Sequence, residues 1–130
     1  MSLETGLRAA LIADVTVNGL VKGRIYPEVM PHDVIYPAIS YQRISTVRDQ
    51  HLSGVNDFTQ VRIAVDCWDA SYSGVKALAG AVKSAIDGVY VLGSQAILHC
   101  FMDSMTDLSE FNGDREDRRV SMDFVVYICE

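Results

Sequence analysis

The sequence predicts an α+β fold: one antiparallel sheet of about four strands packed by two helices, with long hairpin arms. Three observations carry this expectation. The stretch Phe58–Asp69, FTQVRIAVDCWD, puts Val61, Ile63, Val65 and Cys67 on one parity and Gln60, Arg62, Asp66 and Trp68 on the other, the period of a strand with one buried face. The C-terminal stretch repeats the pattern, with Val120, Met122, Phe124, Val126 and Ile128 set against Arg119, Ser121, Asp123 and Tyr127. Between them, Val75, Leu78, Ala79, Val82 and Ile86 recur at helical spacing and stop at Gly88, a good helix terminator.

Taken in order, Leu3, Leu7, Ala10 and Leu11 predict a first helix running from a Ser2 cap to about Asp14, with Glu4 favourably placed in its first turn. Val15–Gly23 reads as irregular because Asn18-Gly19 is a turn signal, and Arg24–Pro27 as a short extended piece. Pro27, Pro31 and Pro37 punctuate an ordered loop. In the next strand, Pro37–Val47, Ile39 and Tyr41 share a parity that Ile44 breaks, which predicts a bulge or a two-sided strand. Arg48–Asp57 is too long for a tight turn and reads as a protruding arm. Asp69 and Ser71 offer oxygens to cap the second helix. Beyond it come a short turn at Tyr90–Gly93, a strand of unassigned facing at Ala96–Asp103, and a second polar arm, Ser104–Arg118, holding Asn112-Gly113.

Length and composition narrow the function. With 130 residues, 49% of them hydrophobic, the chain suits a single domain, 1–130, with a core of its own. No apolar run approaches the ~20 residues of a membrane helix and no signal peptide opens the chain, so a soluble protein, intracellular when made and without membrane contact, is expected. Cys67, Cys100 and Cys129 are odd in number and lack a CxxC spacing, which predicts reduced thiols rather than disulfides or a zinc site. The net charge of −6 leaves no spare positive field for phosphates, so no stable nucleic-acid binding is expected; passing DNA would slide by.

No catalytic, cofactor-binding or metal-binding residue is predicted. GxSxG, HExxH and a Gly-rich phosphate loop are all absent from the sequence, and His32-Asp33 has no partner motif. Neighbours on a strand, His99 and Cys100 point to opposite faces and cannot act as a pair. Asp66, Asp103 and Asp123 read as ion-pair partners of Arg62 and Arg119 on a solvated sheet face, not as catalytic carboxylates. Trp68, on the polar parity, is either packed by a loop or kept for a partner.

Several segments in fixed order carry a resemblance. They are Gly23-Arg24-Ile25-Tyr26-Pro27, Tyr36-Pro37-Ala38-Ile39-Ser40 with Gln42-Arg43-Ile44-Ser45, the Val61–Trp68 strand, Tyr72 with Ala77-Leu78-Ala79, and Arg119-Val120-Ser121-Met122-Asp123-Phe124. In these the chain resembles the tail-completion, or tail terminator, proteins of long-tailed bacteriophages and gene transfer agents. The resemblance implies a non-enzymatic structural virion protein that forms a hexameric ring at the head-proximal end of the tail, assembled in the host cytoplasm. It implies contacts with the tail tube protein and with a head-tail connector or stopper. Trp68, Arg48, Asp49, His51, Val55, Phe111 and Arg115 are then the expected oligomer or partner contacts, and Asp66, Asp123, Asp107 and Glu110 the expected lumen residues. A head-completion stopper of the neck, a small ferredoxin-like ligand-binding or enzymatic module, and a regulatory dimer remain alternatives.

Overall fold

The computed structural model describes residues 3–28, 34–49, 58–88, 91–92, 95–96, 99–112 and 115–129. The expected Ser2 cap, Pro31, His32-Asp33, and the tip of the first arm with His51 and Val55 lie outside the described residues. In chain order the elements are α1 (Leu3–Ala13), α2 (Val15–Val21), β1 (Ile25–Pro27), β2 (Ala38–Asp49), β3 (Phe58–Asp69), α3 (Tyr72–Ile86), β4 (Val91–Leu92), β5 (Gln95–Ala96), β6 (His99–Asn112) and β7 (Arg115–Cys129). The main sheet has the order β1-β2-β3-β7-β6, and β4 and β5 form a separate two-stranded piece.

The α+β class and the central place of Phe58–Asp69 stand, with corrections. The main sheet has five strands and is mixed, because β1 runs parallel to β2, Ile25 beside Ile39. Three helices are present among the described residues, not two. The additional one is α2, where a turn was expected at Asn18-Gly19. Asp14 caps it by accepting from Val17 N at 3.0 Å, Val17 and Val21 are fully buried, and Asn18 Oδ1 accepts from Gly23 N at 2.9 Å. The chain leaves the helix through left-handed Lys22 and Gly23, the usual C-terminal device. Asn18 thus serves the helix end rather than a hairpin.

The second polar arm also differs: Ser104–Arg118 is largely strand. β6 and β7 pair from His99–Tyr127 out to Asn112–Arg115. Past Asp69–Arg118, where β3 ends, the hairpin continues alone by three pairs, roughly 10 Å of ribbon. The parity break predicted at Ile44 is a bulge between Arg43 and Ser45, and β6 has its own between Met102 and Ser104. The two flank one row across the sheet, Arg43–Ile63–Phe124–Met102.

All three helices pack on one face. α3 supplies Val75, Leu78, Ala79, Val82 and Ile86, α1 supplies Leu3, Leu7 and Leu11, and the sheet answers with Ile39, Tyr41, Val61, Ile63, Val65, Cys67, Val120, Met122, Phe124, Val126 and Ile128. Ser71 caps α3 by accepting from Gly74 N at 3.0 Å. At its other end Gly88 N donates to Cys100 O at 2.6 Å and Asp87 Oδ1 accepts from Met102 N at 2.8 Å, which ties the helix to the outer edge of β6. Among the described residues no helix is long and apolar enough to cross a membrane.

Cys67 and Cys100 both point into this core. Burial, reinforced by the charge of Asp66, pushes the Cys67 thiol up, and burial with Asp87 pushes that of Cys100 up to about 12. A thiol kept protonated and out of water is inert. Ellman's reagent at pH 8 should therefore leave both unmodified in the native protein and label both in urea, as peptide mapping would reveal. Fast native labelling of either would mean that the helices do not cover this face.

Candidate assembly surface

Among the described residues, the opposite face of the sheet carries no helix. Alternation along β3 and β7 gives it Gln60, Arg62, Ala64, Asp66 and Trp68 beside Arg119, Ser121, Asp123, Val125 and Tyr127, flanked by β2 and β6. Three zones follow along the strands. At one end His99, Phe101 and Tyr127 form an aromatic row, with ring centroids 5.6 and 6.0 Å apart. Val125, paired with Phe101, is 3% exposed although no helix covers it. The sequence reading missed this zone because Val125 falls on the polar parity. The signal lay across strands rather than along one.

The middle zone is polar. Arg62 Nη1 donates to Asp103 Oδ2 at 2.9 Å and lies 3.7 Å from Asp123 Oδ2, and Ser104 Oγ reaches Asp123 at 3.3 Å. This is the cross-strand pairing expected of Arg62 with these carboxylates. The hydrogen bond to Asp103 also raises the Arg62 guanidinium further. Exposed pairs of this kind contribute at most about 1 kcal/mol, so they set register more than stability.

Trp68 anchors the far end. Its Nε1 donates to Ser40 Oγ at 3.1 Å, the Tyr36 ring stacks on it at 6.5 Å and 18°, and the Arg119 guanidinium lies 5.0 Å from its centroid. Of the two roles open to Trp68, the structure supplies the packing one. Ser40, hydrogen-bonded to the indole, is 6% exposed despite lying on the helix-free face.

The remaining expected contact residues divide between the two ends of the sheet. Arg48 and Asp49 close β2, opposite Thr59 and Phe58. Glu110, Phe111 and Arg115 belong to the projecting β6–β7 ribbon, opposite Asp117, Glu116 and Asn112. The expected lumen residues do not share a face. Asp66 and Asp123 are on the helix-free side, whereas Asp107 lies on the helix side, its two oxygens 2.7 and 2.8 Å from Lys76 Nζ of α3. The bulge at Asp103 causes this, because an extra residue reverses which parity faces the helices. His99 and Cys100 do face opposite ways, and among the described residues no three His, Cys, Asp or Glu side chains converge as a metal site would need.

Compared with known proteins, residues 5–128 match the family described as "Tail completion protein gp17". No curated protein matches. Among solved structures, a chain of the "Virion of native gene transfer agent (GTA) particle" superposes with a TM-score of 0.80 at 17% identity, over 99% of this chain and 96% of that one. At that identity the likeness is one of fold.

Proposed function

The chain belongs to the tail completion protein gp17 family, and from that premise we propose that it acts as a tail terminator, a ring that caps the tail tube and joins it to the head connector. The observation that supports this reading is the placement of its two hairpins. Strands β2 and β3 end together at the Asp49–Phe58 pair, beside Cys129, and the β6–β7 ribbon leaves the sheet beyond Asp69–Arg118, at the opposite end. A subunit whose two ends differ in this way suits head-to-tail contacts, which close into rings when the rotation per copy permits. Six copies, with the tail tube protein on one side and a connector or stopper on the other, is the arrangement proposed. The protein works by contact alone, with no catalysis, at the head-proximal end of the particle's tail.

In this reading the helix-free face, with Asp66 and Asp123, would line the lumen. The helices would then face outward, and Asp107 with them. The test uses tail tubes purified from particles lacking this protein. Added wild-type chain should appear by negative-stain microscopy as a ring on one end of each tube and should stop further tube growth. Tubes that stay bare and keep elongating would refute the terminator reading, and rings found on purified portal complexes instead would favour a stopper.

A further inference from the structure

Among the described residues, β2 and β6 each have a strand neighbour on one side only over about half their length. On β2, strand β1 occupies only Ile39–Tyr41, so from Arg43 to Asp49 the one strand neighbour among the described residues is β3. On β6, the end of α3 bonds to Cys100 and Met102, and from Ser104 to Asn112 the one strand neighbour among the described residues is β7. Each open half starts at a bulge. An unpaired edge is a template for another strand, which natural proteins blunt with Pro, charge or a bulge or else cover; here the register beyond each bulge runs on without a further break. Neither segment contains Pro.

The side chains on these halves are complementary. Ile44 and Val47 on β2 are 51% and 57% exposed, and Met105 and Leu108 on β6 are 38% and 36% exposed. The charges beside them do not decide the match, because Arg43 is held by Glu4 at 2.6 Å and Asp107 by Lys76 within the same chain. Val47 is opposite Gln60 and Leu108 opposite Arg119, so both lie on the helix-free face. Because β2, β3, β7 and β6 alternate in direction, β2 and β6 run antiparallel to each other. A copy placed alongside in the same orientation would therefore continue the antiparallel ladder.

We propose that Arg43–Asp49 of one copy pairs with Ser104–Asn112 of the next, so that each open edge is filled by a second copy of this chain. The proposal rests on the ring reading above and names its contact. Main-chain hydrogen bonds supply the attachment, and the Val47–Leu108 apposition on the helix-free face supplies the register. The contact is heterologous, as a ring requires. The open halves lie at opposite levels of the sheet, β2's beside Phe58–Ile63 and β6's beside Arg115–Asp123, so successive copies are staggered along their strands. A closed sheet absorbs such a stagger as a tilt of its strands to the ring axis.

The tail-tube assay tests the contact with three variants. Val47→Glu sets a carboxylate against apolar Leu108 of the next copy, Leu108→Lys sets an ammonium against apolar Val47, and Val15→Glu alters a residue 88% exposed on α2. All three positions are exposed, so thermal melts should match the wild type. V15E should ring tubes normally, V47E and L108K should each lose rings at least tenfold, and an equimolar mixture of the last two should restore them. Restoration is expected because in an alternating ring of six the Glu edge meets the Lys edge and the two unaltered edges meet each other. Rings at wild-type frequency with V47E or L108K alone, or a mixture that stays ringless, would overturn the edge contact and leave the terminator reading standing. Wild-type protein that makes no rings would overturn the terminator reading itself.

Discussion

Phe124→Ala should destabilise the protein by about 3–5 kcal/mol, the range for removing a fully buried aromatic ring. Phe124 is 1% exposed, on the helix-covered face, with Ile63 beside it on one strand and Met102 on the other. It stands on the row flanked by both bulges, where β2 and β6 change facing. Few neighbours can move to fill the space: the helix turns above are held by the Ser71 cap and by the Asp87 and Gly88 bonds to β6. The cavity cost should therefore add to the transfer cost. For a chain of this size the loss corresponds to roughly 10–20 °C in Tm. Arg62→Ala, which removes the exposed pairs to Asp103 and Asp123, should by contrast stay within about 1 kcal/mol. A urea titration of the three proteins separates these expectations; a Phe124→Ala loss no larger than that of Arg62→Ala would remove Phe124 from the core.

The central strand, the last strand and α3 were legible because each keeps one period throughout. β3 never breaks its alternation, and the stripe of α3 ends at a glycine with positive φ. What defeated reading along the chain was change of phase. In β6, Cys100 and Met102 face the helices, but after the bulge Met105 and Asp107 do, so no single parity describes the strand and its charges suggested a loop. In β2 the same slip at Ile44 was visible because Ile39 and Tyr41 had established a phase first. α2 was lost for a different reason. Seven residues give too few turns for a stripe, and Asn18-Gly19 signals a hairpin unless Asp14 is recognised as a cap. The assembly surface was legible only in pieces. Asp66, Asp123 and Trp68 could be placed on one face from β3 and β7, whereas the aromatic row and the open edges depend on which strands are neighbours, which periodicity does not encode.

Duplex DNA should pass this protein without binding it, and changing two residues should alter that. Each chain carries a net charge of −6, and the cations on the helix-free face are engaged: Arg62 by Asp103 and Asp123, Arg119 by the Trp68 ring. A phosphate would have to displace those partners while facing Asp66 and Asp123, so filter binding even at low salt should detect no complex. Micromolar affinity there would contradict the acidic-lumen proposal. Asp66→Lys with Asp123→Lys replaces two negative charges by two positive ones, a change of +4 per chain on this face, at two partly exposed positions. If the face lines the lumen, an assembled ring of the double variant concentrates those charges around one duplex. Affinity should then rise by at least tenfold over wild-type rings, with a salt dependence of about −0.9 in log K per phosphate neutralised. The same substitutions in dispersed subunits should give far weaker binding, because few of the added charges meet the same duplex at once. Equal binding by rings and by single subunits would instead place Asp66 and Asp123 outside the channel.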